Sequence, residues 1–113
     1  MKTDLEKRKL VSDLKRTKVK LWSAIAKELE KSTKRMVDVN VSKIQLNTRE
    51  GETALIPGKV LSIGKMEKKL TIAAYKFSDK ALAKINANGK ALTIRELLKT
   101  NPKGNKVRIL KWF

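Results

Sequence analysis

Two absences and one excess decide what chemistry this chain can do. It has no cysteine and no histidine. That removes disulfides, thiolate metal sites, cysteine nucleophiles, the usual zinc and iron ligands and the commonest general base. No cofactor and no metal site is expected. The stretch Gly58 to Gly64, followed by Lys65, invites comparison with a phosphate-binding nucleotidase loop. Five residues separate the glycines where four are needed, and Met66 follows the lysine where Ser or Thr would hold magnesium. That reading is rejected. The excess is cationic: 28 Lys and Arg stand against 11 Asp and Glu, a formal net charge of +17 over 113 residues. Lysine and arginine at this density are phosphate chemistry, because each neutralised phosphate releases condensed counterions.

The cations fall into groups. Lys7, Arg8, Lys9, Lys15, Arg16, Lys18 and Lys20 crowd the N-terminus. Charge runs are by default solvated helix faces, but here too few acids exist to pair them. At helical spacing Arg8, Lys15 and Lys18 fall near one another, away from Leu10 and Leu14, which suits a helix laid along a phosphate groove. Arg8, Arg16 and Arg35 are favoured over single lysines, since a guanidinium binds phosphate bidentately and stacks on bases. Lys34-Arg35 is expected in a loop between helix and strand. Lys59 stands beside the Pro57-Gly58 bend, where a missing side chain would let an RNA backbone approach. Lys65, Lys68 and Lys69 flank a turn between strands. Lys103, Lys106 and Arg108 surround Gly104 in a C-terminal loop where backbone and cations can both reach a partner. Among the few aromatics, Trp22 belongs to an apolar helix face and reads as core. Tyr75 and Phe77 could stack on an unpaired base, although at least one is needed for packing.

These residues must be held by a core, and the sequence has one. Hydrophobic content is an ordinary 41%. Residues Met1 to Arg35 carry a balance of +7, Met36 to Gly64 zero, and Lys65 to Phe113 +10. The neutral middle is the most strand-like part, so core is expected there and binding surface at the basic ends. Leu5, Leu10, Val11 and Leu14 predict a first helix, capped by Thr3-Asp4 and Glu6. Leu21, Trp22, Ile25, Ala26 and Leu29 predict a second, with Thr17 separating the two or lying inside one bent helix. Asp38 to Leu46 reads as a strand. Pro57 cannot donate to a ladder, so Ala54-Leu55-Ile56 and Lys59 to Ile63 read as two short strands around a bend. Leu70 to Tyr75 reads as another. Ser78 caps a helix from Asp79 to about Asn86 that buries Leu82 and Ile85. Thr93 and Glu96 form a capping box for Ile94 to Lys99, and Val107 to Leu110 is a final strand. The N-terminus lacks the apolar run of a signal peptide, and no stretch reaches transmembrane length. A cytoplasmic protein with no membrane partner is the expectation.

Laid out this way, the chain resembles the archaeal and eukaryotic large-subunit ribosomal protein family numbered eighteen-e, related to the C-terminal part of the bacterial large-subunit protein numbered fifteen. The resemblance is carried by Val39-Asn40-Val41-Ser42-Lys43-Ile44, by Leu55-Ile56-Pro57-Gly58-Lys59-Val60-Leu61 closed at Gly64, and by Ala73-Ala74 with Phe77-Ser78, Ala81 and Ile85. Asn101-Pro102, Gly104 and Val107-Arg108-Ile109-Leu110 complete it. Each motif is weak alone; their order and spacing together are specific. Ser32, Leu46 and Ser62 depart from it, where proline, a basic residue and glycine are common. The resemblance implies an α/β fold, an irregular layered assembly of strand-strand-helix units with an N-terminal helical extension. It also implies binding and stabilisation of large-subunit ribosomal RNA.

The expected organisation is a basic helical extension over residues 1–35 packed on an α/β core over 36–113. The expected function is non-enzymatic: a structural constituent of the large ribosomal subunit that neutralises RNA phosphates. Its candidate contacts are the cations above together with Lys43. Its partners would be large-subunit ribosomal RNA and neighbouring ribosomal proteins, with no small-molecule substrate. Recognition should rest on backbone and shape, because the chain is rich in cations and poor in aromatic readers. Two rivals are a basic protein-interaction or regulatory module acting off the ribosome, and a DNA-architectural protein. Copurification with the large subunit through high salt would favour the main reading; a stable free pool would favour the rivals.

Overall fold

The computed structural model describes residues 2–30 and 37–110. Its centre is a parallel sheet with helices on both faces. The elements in chain order are α1 (Lys2–Arg16), α2 (Lys20–Leu29), β1 (Asp38–Asn40), α3 (Val41–Asn47) and β2 (Thr53–Leu61). There follow β3 (Thr71–Phe77), α4 (Asp79–Asn88), β4 (Lys90–Thr93), α5 (Ile94–Thr100) and β5 (Val107–Ile109). The fold class is α/β, as expected.

The middle strand β2 organises everything. It is buried from Ala54 to Gly58 and pairs with β3 along one edge and with two short strands along the other. Thr53 to Leu55 pair with β5, and Lys59 to Leu61 pair with β1. Pro57 falls in the gap between those two partners, where a missing N–H is tolerated. The bend expected at Pro57-Gly58 is therefore a register irregularity between Ile56 and Lys59 inside one strand, not a break between two. Gly58 is required by the chain itself. A Cβ there would stand 2.0 Å from the carbonyl oxygen of Val37, whose segment crosses over it and accepts from the Lys59 N–H at 2.9 Å.

Side chains alternate along the strands, so neighbouring residues serve opposite faces. Ala54, Ile56, Val60, Ile72 and Ala74 pack with Val41 and Ile44 of α3 and Ala81 and Ile85 of α4. Leu55, Ala73 and Leu92 pack with Leu10 and Leu14 of α1, Trp22, Ile25 and Leu29 of α2, and Ile94 and Leu97 of α5. The two basic helices thus cover one face of the neutral strands. Trp22 is fully buried, as its helix-face position predicted, and its indole N–H donates to the Pro102 carbonyl at 2.8 Å.

Several sequence expectations are corrected. The segment 38–46 holds only a three-residue strand before turning into α3. Val41 and Ile44, three apart, make the buried face of that helix instead of alternating along a strand. Thr3 and Asp4 lie inside α1, which begins at Lys2, and Leu5 is exposed rather than part of the buried stripe. Thr17 does separate the helices: its hydroxyl donates to the Leu14 carbonyl and accepts from the Val19 N–H. β3 runs two residues past Tyr75, to Phe77. In α4 the buried residues are Ala81 and Ile85, with Leu82 half-buried, and the helix continues to Asn88 before Gly89. Strand β4, four residues ending on the cap of α5, was missed. The Ser78 cap and the Thr93–Glu96 capping box are both present.

Candidate nucleic-acid interface

The cations divide by whether the fold spends them internally. Arg8, Lys9 and Arg16 are exposed on α1; Lys9 and Arg16 act electrostatically on Asp13, which Arg95 holds. Arg8 and Lys15 line one shallow hollow with Lys7. Lys15 also meets Glu30, the residue that caps α2 at its C-terminus, at 2.5 Å, a contact between two half-exposed groups. Lys18 does not join Arg8 and Lys15. α1 ends at Arg16, Lys18 takes a left-handed φ of 59°, and it lines a second hollow with Lys20 and Lys27 of α2. Lys27 is a cation that the sequence reading passed over; its place three to four residues beyond Ser23 and Ala24 on α2 was the available signal.

Other candidates are committed to holding the protein together. Lys68 is half-buried, and its ammonium donates to the carbonyls of Gln45 at 2.8 Å and Thr48 at 3.3 Å, at the C-terminal end of α3. A cation there complements the helix dipole and the unsatisfied carbonyls. The Gln45 side chain answers by accepting from the Glu67 and Lys68 N–H groups. Arg108 forms a two-pronged pair with Glu52, at 3.1 and 3.0 Å, across the β5–β2 edge. That pairing holds the Glu52 carboxyl below the usual carboxylate range and raises the Arg108 guanidinium. Arg95, which the sequence reading did not single out, grips Asp13 of α1 at 2.8 Å and lowers that carboxyl in the same way.

The remaining candidates are exposed but scattered. Lys43 lies on α3, Lys59 on β2, and Lys65 and Lys69 in the 62–70 connection. Lys65 shares a small hollow with Lys84, whose ammonium donates to the carbonyls of Ser62 at 2.5 Å and Gly64 at 2.8 Å. Lys59 sits directly across from Lys76 of β3 in the ladder, and Asp38 flanks it on β1. Lys103 and Lys106 are exposed in the loop before β5, but Gly104 is not there to admit a partner. It has φ +72°, and a Cβ would meet the Leu21 side chain at 2.3 Å. The loop packs on α2. Gly58 likewise admits Val37, not an RNA backbone. Lys34 and Arg35, and the tail Lys111 to Phe113, lie outside the described residues.

The described residues hold no group of acids, His or Cys able to bind a metal, and no helix among them is long and apolar enough to cross a membrane. Together with the missing His and Cys, these features define a small, strongly basic α/β protein whose exposed chemistry is cationic, with Asp13, Glu30, Glu52 and Glu96 engaged in contacts that hold its elements. Comparison with known proteins agrees. A family model described as ribosomal protein 60S L18 and 50S L18e matches residues 8–112. The chain belongs to this family. The large ribosomal subunit protein eL18 of Methanospirillum hungatei is 51% identical over 94 residues, covering 82% of this chain and 78% of that one. That of Methanosphaerula palustris is 48% identical over 103 residues, covering 89% and 85%. That of Methanococcus maripaludis is 44% identical over 115 residues, covering 97% and 96%. The protein is a structural ribosomal protein of the large subunit and not an enzyme.

Proposed function

We propose that the protein binds large-subunit ribosomal RNA by phosphate neutralisation, with α1 and the α1–α2 turn as the main contact surface. One observation carries this: Arg8, Lys9, Arg16, Lys18 and Lys20 are all exposed along one stretch of chain, and Asp13, the acid within it, is already held by Arg95. Cations in such excess over acids raise self-repulsion, which a polyanionic partner removes. Lys59, Lys65, Lys69, Lys103 and Lys106 add exposed charge elsewhere, so several RNA segments can be held at once. Lys34, Arg35 and Lys43 stay in the proposed set. Lys68 and Arg108 contribute by stiffening the scaffold. Neighbouring ribosomal proteins are the second class of partner in this reading.

The test is the salt dependence of binding to a structured large-subunit RNA fragment. Each phosphate contact contributes a slope of about −0.9 in log affinity against log salt, taking duplex DNA as the guide. Arg16→Ala should leave the melting curve nearly unchanged, as surface substitutions do, while weakening binding and flattening the slope by about one contact. Affinity that stays flat from low to high salt would sink the electrostatic mechanism.

A further inference from the structure

A hollow of about 570 Å³ lies at the carboxyl ends of β3 and β4, within the usual size range of small-ligand sites. Its position follows from the topology. The helix after β3, α4, packs on one face of the sheet, and the helix after β4, α5, packs on the other. The two connections diverge there and leave a crevice between adjacent parallel strands. Such switch points are where open α/β sheets bind ligands. Here α1 forms the outer wall.

The lining is chemically mixed. Leu10 and Ile94 make an apolar floor beside the half-buried ring of Tyr75, with β3 running past at Ala74. Lys9, Lys76 and Arg95 stand on the rim, with Glu6 the one acid. The Lys76 ammonium is 5.8 Å from the centre of the Tyr75 ring, so a phosphate held by Lys76 places its base within reach of that ring. An apolar slot with an aromatic wall and a cationic mouth matches a single nucleotide, planar and apolar at one end and anionic at the other. A duplex cannot present a base this way; an unpaired residue can.

Resting on the RNA-binding reading above, we propose that this crevice takes one unpaired nucleotide of the RNA. Its base lies against Tyr75, Leu10 and Ile94, and its phosphate on Lys9 and Lys76. The protein then reads an extruded base at one point in a contact otherwise made to backbone.

The test is methyl NMR on the full chain, titrated with a single-stranded hexanucleotide, a duplex of equal length and a hexaglutamate peptide at one ionic strength. The hexanucleotide should shift the Leu10 and Ile94 methyls where the duplex does not. Tyr75→Leu should weaken hexanucleotide binding at least about fivefold, the lower end of what one base stack contributes. Because Tyr75 also packs on the core, the exposed double change Lys9→Gln with Lys76→Gln is the second variant. It should weaken the same binding without changing the melting curve. Methyls that stay still while structured RNA binds with a steep salt slope would overturn this inference and leave the RNA reading standing. Failure to bind any RNA would overturn both. Equal shifts from hexaglutamate would overturn it in favour of an acidic protein segment.

Discussion

Trp22→Ala should remove a large part of the protein's stability while leaving its charge untouched. Trp22 is fully buried beneath the sheet face formed by Leu55, Ala73 and Leu92, and it carries the one hydrogen bond that ties α2 to the Pro102 carbonyl 80 residues away. Truncating a buried tryptophan costs about 3–5 kcal/mol, through lost transfer energy and the cavity left behind. The lost hydrogen bond adds little, about 1 kcal/mol, because Pro102 is exposed and water can replace the donor. A domain of this size holds about 5–15 kcal/mol in total, so the variant sits near its threshold. With a urea slope of about 2 kcal/mol per molar, a loss of about 4 kcal/mol moves the midpoint down by about 2 M. Trp22→Phe keeps most of the apolar body and should lose far less. Both variants should bind RNA normally wherever they are folded. A wild-type midpoint for Trp22→Ala, coupled with lost RNA affinity, would make Trp22 a contact residue and refute the packing argument.

Gly58→Ala should destabilise by at least about 2 kcal/mol, since its Cβ would meet a backbone carbonyl with no flexible end to yield; hydrogen exchange at Asp38 to Asn40 should rise first. Acid should weaken the fold through Asp13 and Glu52, whose folded pKa values are depressed chiefly by hydrogen bonds from Arg95 and Arg108. Depressed carboxylates stabilise the protein above their unfolded values, about pH 4, and that contribution disappears as pH falls through the lower folded values. Asp13→Asn combined with Glu52→Gln should flatten melting temperature against pH below about 4; an unchanged acid limb would show these pairs carry none of it.

Local signals with a single physical cause were legible in the sequence. Ser78 and the Thr93–Glu96 box announce helix starts because a side-chain oxygen there can accept from the free N–H groups that a helix leaves at its first turn. Trp22 and its helical neighbours read as core because one stripe of large apolar groups has nowhere else to go. Segment 38–46 was misread because a short apolar run fits either period, and only its fit against the sheet and the 62–70 connection decides between them. β4 escaped notice because Lys90 to Thr93 is too short for a pattern; it exists because β3 offers it a ladder. The Pro57 strand was split on a sound rule whose exception is tertiary. On one edge of β2, β5 ends opposite Leu55 and β1 begins opposite Lys59, and the proline falls between them.

The candidate interface was legible as a total of charge and not as a set of residues, and the reason lies in sequence distance. Whether a cation faces RNA or holds the fold together depends on an acid or carbonyl that the chain brings up from far away. Arg108 finds Glu52 across 56 residues, Arg95 finds Asp13 across 82, and Lys68 finds the end of α3 across 20 or more. No local pattern separates Lys68 from Lys65 or Lys69. Glycine shows the same limit from the other side. Gly58 and Gly104 each mark a close approach, as a glycine beside a bend suggests, but the approaching group is this chain's own Val37 or Leu21. A rule that ranks surface cations by local spacing alone therefore overcounts contacts wherever an acid from another strand or helix can reach them. With 11 acids against 28 cations, ion pairing alone leaves most of the cations over, and carbonyls such as those that hold Lys68 and Lys84 decide how many of the rest stay free of the fold.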